Sequence, residues 1–241
     1  MIVAEIGINH KGSEVKALKM LKALINTKIN AIVFQIPQRA FYAKVKKYGR
    51  PLHTVFYEKT IRMAHKGNKM IGFSIDDIAM ISVLNKFGAD FWKTLSSGIA
   101  NNKLQAELQK TRKLVFISTG LSGENEILKV SKRYRNIRFI HTQLSPDAAD
   151  ANLSAIKRIR ELTGKNTAFG LHSTLHEILY LALAFDPSDF FFYVKDNKHE
   201  KYPDDKHAFV INEVDKIIGN LENLRKAIGG IPKRKMRDKL Q

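Results

Sequence analysis

Eight short apolar runs in this chain each end in residues able to bind ligands or move protons. In chain order these residues are Glu5, Asn9 and His10; Gln35; Ser74, Asp76 and Asp77; Lys93, Ser96 and Ser97; Ser118 and Thr119; His141, Thr142 and Gln143; His172, Ser173 and His176; and Lys195, Asp196 and Lys198. Hydroxyls, lysines and imidazoles suit an anionic ligand, whereas carboxylates suit proton transfer or sugar hydroxyls. Glu5 sits inside an apolar run, so a buried carboxylate there needs a partner, either a substrate or a structural cation. Lys93 closes Phe91-Trp92-Lys93 and could hold phosphate or carboxylate, or form a structural ion pair. Ser118-Thr119-Gly120 opens a helical region; its amides and hydroxyls could hold an anion or simply make a cap turn. His141 ends an apolar strand and reads equally as a hydrogen-bonded core imidazole or a ligand. His172 and His176 have i, i+4 spacing, which fits a metal only if both lie on one helical turn, and no HExxH is present. Lys195 follows Phe190-Phe191-Phe192-Tyr193-Val194, and a desolvated lysine can form a Schiff base. Asp76-Asp77 read as caps of the helix that follows.

These residues must be positioned by an alternating set of elements. β-branched and aromatic runs predict strands at Ile2–Ile6, Ala31–Gln35, Met70–Ser74, Phe91–Thr94, Leu114–Ser118, Arg138–Thr142, Thr167–Leu171 and Phe190–Lys195. The first helix is capped by Ser13 and turns Val15, Leu18, Leu21, Leu24 and Ile25 to one face. Further helices are predicted at Val55–His65, Ile78–Phe87, Asn102–Lys110, Glu124–Tyr134, Leu153–Leu162, Thr174–Phe185 and Val210–Ala227. Uninterrupted βα alternation demands a parallel sheet with right-handed crossovers, and eight units suit a closed α/β barrel, the (β/α)8 TIM barrel. Gly7 and Gly12 do not form GxGxxG, which argues against an open dinucleotide-binding sheet. In a barrel all the strand C-termini open on one mouth. The longest strand-to-helix insertion, Ile36 to Leu52 with Phe41, Tyr42 and Tyr48, is placed to cover that mouth.

The expected organisation is a single barrel domain over 1–230 followed by a basic tail, 231–241. A chain of 241 residues is ordinary for one such barrel. No apolar run approaches a membrane span, the N-terminus shows no basic n-region, and cysteine is absent, so a cytoplasmic protein without disulfides or thiolate metal sites is expected. A net charge of +18 attracts anions. The basic residues are spread out, with no Arg-rich helix and no aromatic-basic alternation, which argues against nucleic acid as the partner.

The opening Ala4-Glu5-Ile6-Gly7-Ile8-Asn9-His10-Lys11-Gly12 resembles the first-strand motif of the sialic acid synthase family, which condenses phosphoenolpyruvate with an N-acyl amino sugar. Later blocks fall in the same order: Val33-Phe34-Gln35, Phe73-Ser74, Trp92-Lys93-Thr94-Leu95-Ser96-Ser97-Gly98, Ile117-Ser118-Thr119-Gly120, Phe139-Ile140-His141, Gly170-Leu171 and Pro203-Asp204. The resemblance implies a (β/α)8 barrel and a product of the nonulosonic acid type, with phosphate released. It implies that Glu5 contacts the amino sugar, while Lys93, Ser97 and Thr119 hold the carboxylate and phosphate of phosphoenolpyruvate. Asn9, Gln35, Ser118, Gln143 and Ser173 complete the expected substrate-binding set, and His141 and Lys195 join Glu5 as catalytic candidates. Family members use a divalent ion, manganese or magnesium, to activate the acceptor aldehyde. Barrels of that family pair, so a homodimer is the implied assembly.

Four blocks depart from the family pattern. Its second-strand lysine is Val33 here, and the acidic residue after the fourth-strand Ser-Gly is Ile99. The seventh-strand block reads Gly170-Leu171-His172-Ser173-Thr174, leaving His172 or His176 as substitutes for a metal-binding histidine. The eighth-strand Glu-X-His reads Tyr193-Val194-Lys195, and a protonated lysine replaces a metal's charge rather than binding the metal. The family's small C-terminal domain has no counterpart in this sequence. Two functions are compatible with these departures. One is a divergent phosphoenolpyruvate-dependent sugar-acid synthase. The other is a barrel that has lost condensation and binds a sugar phosphate, assists a partner protein, or runs lysine-based aldolase chemistry.

Overall fold

A computed structural model of the chain describes residues 1–44 and 49–230. Eight parallel strands form its centre: β1 Ile2–Gly7, β2 Ala31–Ile36, β3 Met70–Ile75, β4 Phe91–Thr94, β5 Leu114–Ser118, β6 Ile137–His141, β7 Thr167–Gly170 and β8 Phe190–Lys195. Neighbours in sequence are neighbours in the sheet, and β1 also pairs with β8, which closes the barrel. Strands covered on both faces need no polar alternation, which is why they read as continuous apolar runs. A two-residue strand β9, Phe209–Val210, pairs in parallel with the end of β8.

Strand side chains alternate between the barrel interior and the helical layer. The interior holds Val3, Ala31, Val33, Phe91, Phe116, Ile140, Ala168 and Phe191, packed as one cluster. Phe116 meets Phe91 and Phe191 edge-on, with ring centroids 5.5 and 4.9 Å apart. Gly72 of β3 faces this cluster: a Cβ there would lie 2.3 Å from the Phe91 ring, so only glycine fits. The opposite strand faces, including Ala4, Phe34, Phe73, Trp92, Ile117 and Phe192, pack against the helices in a second, larger cluster.

The helices are α1 Glu14–Ile25, α2 Arg39–Lys44, α3 Thr54–Lys66, α4 Ala79–Phe87, α5 Asn102–Lys110, α6 Glu124–Arg133, α7 Ala155–Thr163, α8 Ile178–Leu181 and α9 Val214–Ile228. Ser13 caps α1, accepting from the Lys16 amide at 3.2 Å. Asp77 Oδ1 accepts from the Ala79 amide at 3.0 Å in the turn before α4, whose N-cap, Ile78, makes no side-chain cap bond.

Four local expectations are corrected. Val15 is 81% exposed, because α1 turns Ala17, Met20, Leu21 and Leu24 inward instead. The predicted helix Thr174–Phe185 is only α8 followed by a 3-10 turn, Ala182–Phe185. Its first residues are tied elsewhere: Ser173 Oγ and the Thr174 amide both donate to the Pro146 carbonyl. The last helix starts at Val214 rather than Val210, since Phe209 and Val210 are drawn into β9. The insertion after β2 is not all loop, since it contains α2 and its buried Tyr42. Tyr48 and the basic tail 231–241 lie outside the described residues.

Candidate functional site at the barrel mouth

The strand alternation decides which strand-end residues share the mouth. Register sets Gln35, Ser74 and Lys93 side by side across β2, β3 and β4, and sets Glu5 beside Tyr193 across β1 and β8. All face inward, one step above the apolar interior. Glu5 and Lys93 meet across the barrel: Lys93 Nζ donates to both carboxylate oxygens, at 2.7 and 2.6 Å, and both side chains are almost fully buried. The floor under this pair is aromatic, with Lys93 Nζ 5.6 Å from the ring centres of both Phe191 and Tyr193. An ammonium has three donors. Two are spent on Glu5, leaving one for a ligand, and each Glu5 oxygen keeps a free lone pair.

Above the pair lies a cavity of about 260 Å³ lined by Ile8, Gln35, Phe41, Lys93, Leu95, Ser96, Ser97, Ser118, Leu121, Leu144, His172, Tyr193, Pro203 and Asp204. Of the residues expected to form the site, it gathers Gln35, Lys93, Ser97, Ser118 and His172, with Glu5 held through Lys93. The others stand elsewhere. Asn9 donates to the Val194 carbonyl at 2.8 Å and accepts from the Asp204 amide at 3.1 Å, so its amide is used in fastening two loops. Ser173 is occupied by Pro146. Thr119 and His141 fall on the outer strand face. Thr119 Oγ1 donates to the Ile140 carbonyl at 3.1 Å, and His141 Nε2 to that of Ala151 at 2.9 Å. With Gln143 they line a separate cavity of about 310 Å³ under α6 and α7. Lys195 Nζ donates to the Asp205 carboxylate at 2.7 Å and to its backbone carbonyl at 2.9 Å, and it does not line the mouth cavity.

Two groups that the strand-end reading missed arrive on the loop after β8. Lys11, in the turn before α1, and Lys16 of α1 both bind Glu200, Lys19 binds Asp196, and the Tyr202 hydroxyl binds Asp196 and Glu200. This latch, with Asn9, turns the loop over the mouth and brings in Asp204 and His207. His207 packs against His172 and Tyr193, with ring centroids 4.9 and 5.1 Å away, and its Nε2 is 3.9 Å from Asp204 Oδ1. Buried without hydrogen-bond partners are Asp204 Oδ2, His207 Nε2 and Ser74 Oγ. Gly7, at φ 55°, makes room: a Cβ there would sit 2.8 Å from the Tyr193 ring and 3.2 Å from Asp204 Oδ2.

Burial governs the charges. It pushes the Asp204 carboxyl up to about 7, helped by the Glu5 carboxylate and opposed by Lys93. It lowers His10 to about 4, His172 to about 3 and His207 to about 4, the last two helped by neighbouring cations. Burial likewise lowers His141 and His176. A histidine whose folded pKa lies below the ordinary 6.5 binds fewer protons folded than unfolded, so stability rises with pH between about 4 and 6.5. Asp204 acts in the opposite sense between about 4 and 7, but the histidines outnumber it. Urea midpoints are therefore expected to climb from pH 4.5 to 6.5, with a shallower climb in His10→Asn. A flat or falling wild-type profile would contradict this charge assignment.

The donor set does not fit a divalent ion. Among the described residues no group of three or more His, Asp, Glu or Cys side chains could hold one. His172 and His176 do not share a helical turn, since the helix begins at Ile178. Thr142 Oγ1 stands 2.7 Å from His172 Nδ1, and the His176 ring stacks on Phe209 at 4.0 Å. Lys93 and Lys195 stand close enough to His207 to disfavour its protonation, and they would oppose a metal cation for the same reason.

A closed parallel barrel with a charged, partly desolvated mouth at its strand C-termini is the architecture of a ligand-binding TIM barrel of the enzyme type. The chain belongs to the NeuB family, whose model matches residues 34–233. It is 22% identical over 263 residues to the N,N'-diacetyllegionaminic acid synthase of Campylobacter jejuni, covering 97% of this chain and 79% of that one. It is 25% identical to an uncharacterized protein of Methanocaldococcus jannaschii, covering 95% of this chain and 72% of that one. Among solved structures it is similar to the N-acetylneuraminic acid (sialic acid) synthetase from Leptospira borgpetersenii serovar Hardjo-bovis in complex with citrate. That match has a TM-score of 0.89 and 23% identity, and covers 98% of this chain and 87% of that one. No helix among the described residues is long and apolar enough to cross a membrane.

Proposed function

We propose that this protein is a sugar-acid synthase, condensing phosphoenolpyruvate with the aldehyde of an amino sugar or related aldose and releasing phosphate. The observation that carries the reading is the Glu5–Lys93 pair beneath the mouth cavity. Its remaining Lys93 donor, with Ser96, Ser97 and Ser118 around it, suits a carboxylate or phosphate. The free Glu5 lone pairs and Gln35 suit the hydroxyls of an acceptor. One ion pair thus touches both substrates and fixes them relative to each other, which is the larger part of what a bimolecular condensation requires. Family membership supports the reading, as do a relative named for legionaminic acid synthesis and a neighbour solved with a carboxylate-rich ligand. A lysine-based aldolase is less well supported, because Lys195 is tied to Asp205 outside the cavity and Lys93 is held by Glu5.

The test is phosphate release from phosphoenolpyruvate by the full chain, over a panel of N-acyl amino sugars and simple aldoses. Release that depends on one class of acceptor is the expected result. Release that is independent of acceptor, or none with any acceptor, would overturn the synthase reading.

A further inference from the structure

Asp204 is the least satisfied charged group at the mouth. Asp204 lines the cavity, while its Oδ2 is buried without a hydrogen-bond partner against the space that Gly7 leaves open. Around it stand Glu5 from β1, Lys93 from β4, His172 after β7, Tyr193 from β8 and His207 from its own loop. Lys93 gives two of its donors to Glu5, and among the described residues the ion-pair contact of Asp204 is with His207, 3.9 Å away. The Asp204 backbone amide is pinned by Asn9, so the side chain is positioned from outside the cavity. A carboxyl at the wall of a substrate cavity, with its proton affinity raised by burial, is a proton donor.

We propose that Asp204 donates the proton to the acceptor's carbonyl oxygen during condensation, in place of polarisation by a metal ion. The inference rests on the synthase reading. C3 of phosphoenolpyruvate bonds to the aldehyde carbon, and the carbonyl π pair moves to oxygen and takes the Asp204 proton, leaving a hydroxyl. Water adds to the electron-poor C2 and returns one proton to the Asp204 carboxylate. The C2–O bond to phosphate then breaks, phosphate carries off the second proton, and a ketone remains. Burial keeps Asp204 near neutrality in its proton affinity, so it can both lose and regain the proton at working pH.

The experiment uses the full chain stripped with a chelator, assayed for phosphate release with and without manganese, and compared with Asp204→Asn. Stripped wild type is expected to retain its rate, with manganese changing it less than about twofold. Its kcat is expected to fall on the alkaline side as Asp204 ionises. Asp204→Asn keeps the shape, removes the proton, and is expected to lower kcat by about 100-fold or more. It should also lose the alkaline limb, while phosphoenolpyruvate still raises its melting temperature as in wild type. A rate abolished by chelation and restored by manganese would overturn the proposal. So would an Asp204→Asn kcat within tenfold of wild type. The chelation and pH arms need no variant. Wild type inactive with every acceptor, metal present or absent, would remove the synthase reading itself, a different outcome from an active but metal-requiring enzyme.

Discussion

Lys93→Met is expected to lower folding stability by about 3–5 kcal/mol, because it leaves the Glu5 carboxylate buried with no cation. The pair lies across the barrel, from β1 to β4, so neither partner can turn to solvent. Methionine matches the lysine stem in volume, so packing against Phe191 and Tyr193 changes little and the loss reports the charge. The double variant Glu5→Gln with Lys93→Met is expected to recover most of the loss, since a buried pair replaced by neutral groups is often nearly neutral in energy. Urea unfolding of the single and double variants at pH 7 measures both. A single variant within about 1 kcal/mol of wild type would mean that Glu5 finds another partner or takes up a proton at little cost. Both variants are expected to lose any thermal response to phosphoenolpyruvate, because the one free donor at the cavity floor is gone.

Phe191→Ala is the second large effect, expected to cost about 3–5 kcal/mol as a buried aromatic truncated in a packed interior. Phe191 touches the Phe116 ring and lies under Lys93, so the hole opens directly beneath the ion pair. Water entering there would weaken the Glu5–Lys93 attraction by raising the local dielectric. The variant should therefore lose ligand affinity as well as stability, whereas Phe191→Leu, which keeps most of the volume, should retain both. Equal ligand affinity in Phe191→Ala and wild type would show that the floor does not shape the site.

The barrel was legible because parallel strands buried on both faces leave an unmistakable alternation of apolar runs and helical periods. Strand limits from the residues and from the structure differ by one residue at most. Membership of the mouth was only half legible. Position at a strand end put Thr119 and His141 with Ser118 and Lys93, but strand alternation sends Ser118 inward and Thr119 outward. Counting in twos from the interior Phe116 and Ile140 would have separated them. Asn9 illustrates a different limit: its amide suits a ligand, yet the structure uses it to fasten the β8 loop. Asp204 was visible only as part of a resembling block, and His207 carried no signal. Their arrival depends on contacts between residues 9–19 and 194–204, which no local pattern encodes.

Ligand is expected to bind on the Glu5–Lys93 pair at the mouth. A crystal structure of the full chain soaked with phosphoenolpyruvate tests it most directly. The ligand is expected in the cavity between Gln35, Ser97 and Asp204, with a carboxylate or phosphate oxygen within hydrogen-bond reach of Lys93 Nζ. Phosphoenolpyruvate bound instead in the outer cavity by Thr119, His141 and Arg158, with Lys93 still engaged only by Glu5, would contradict it.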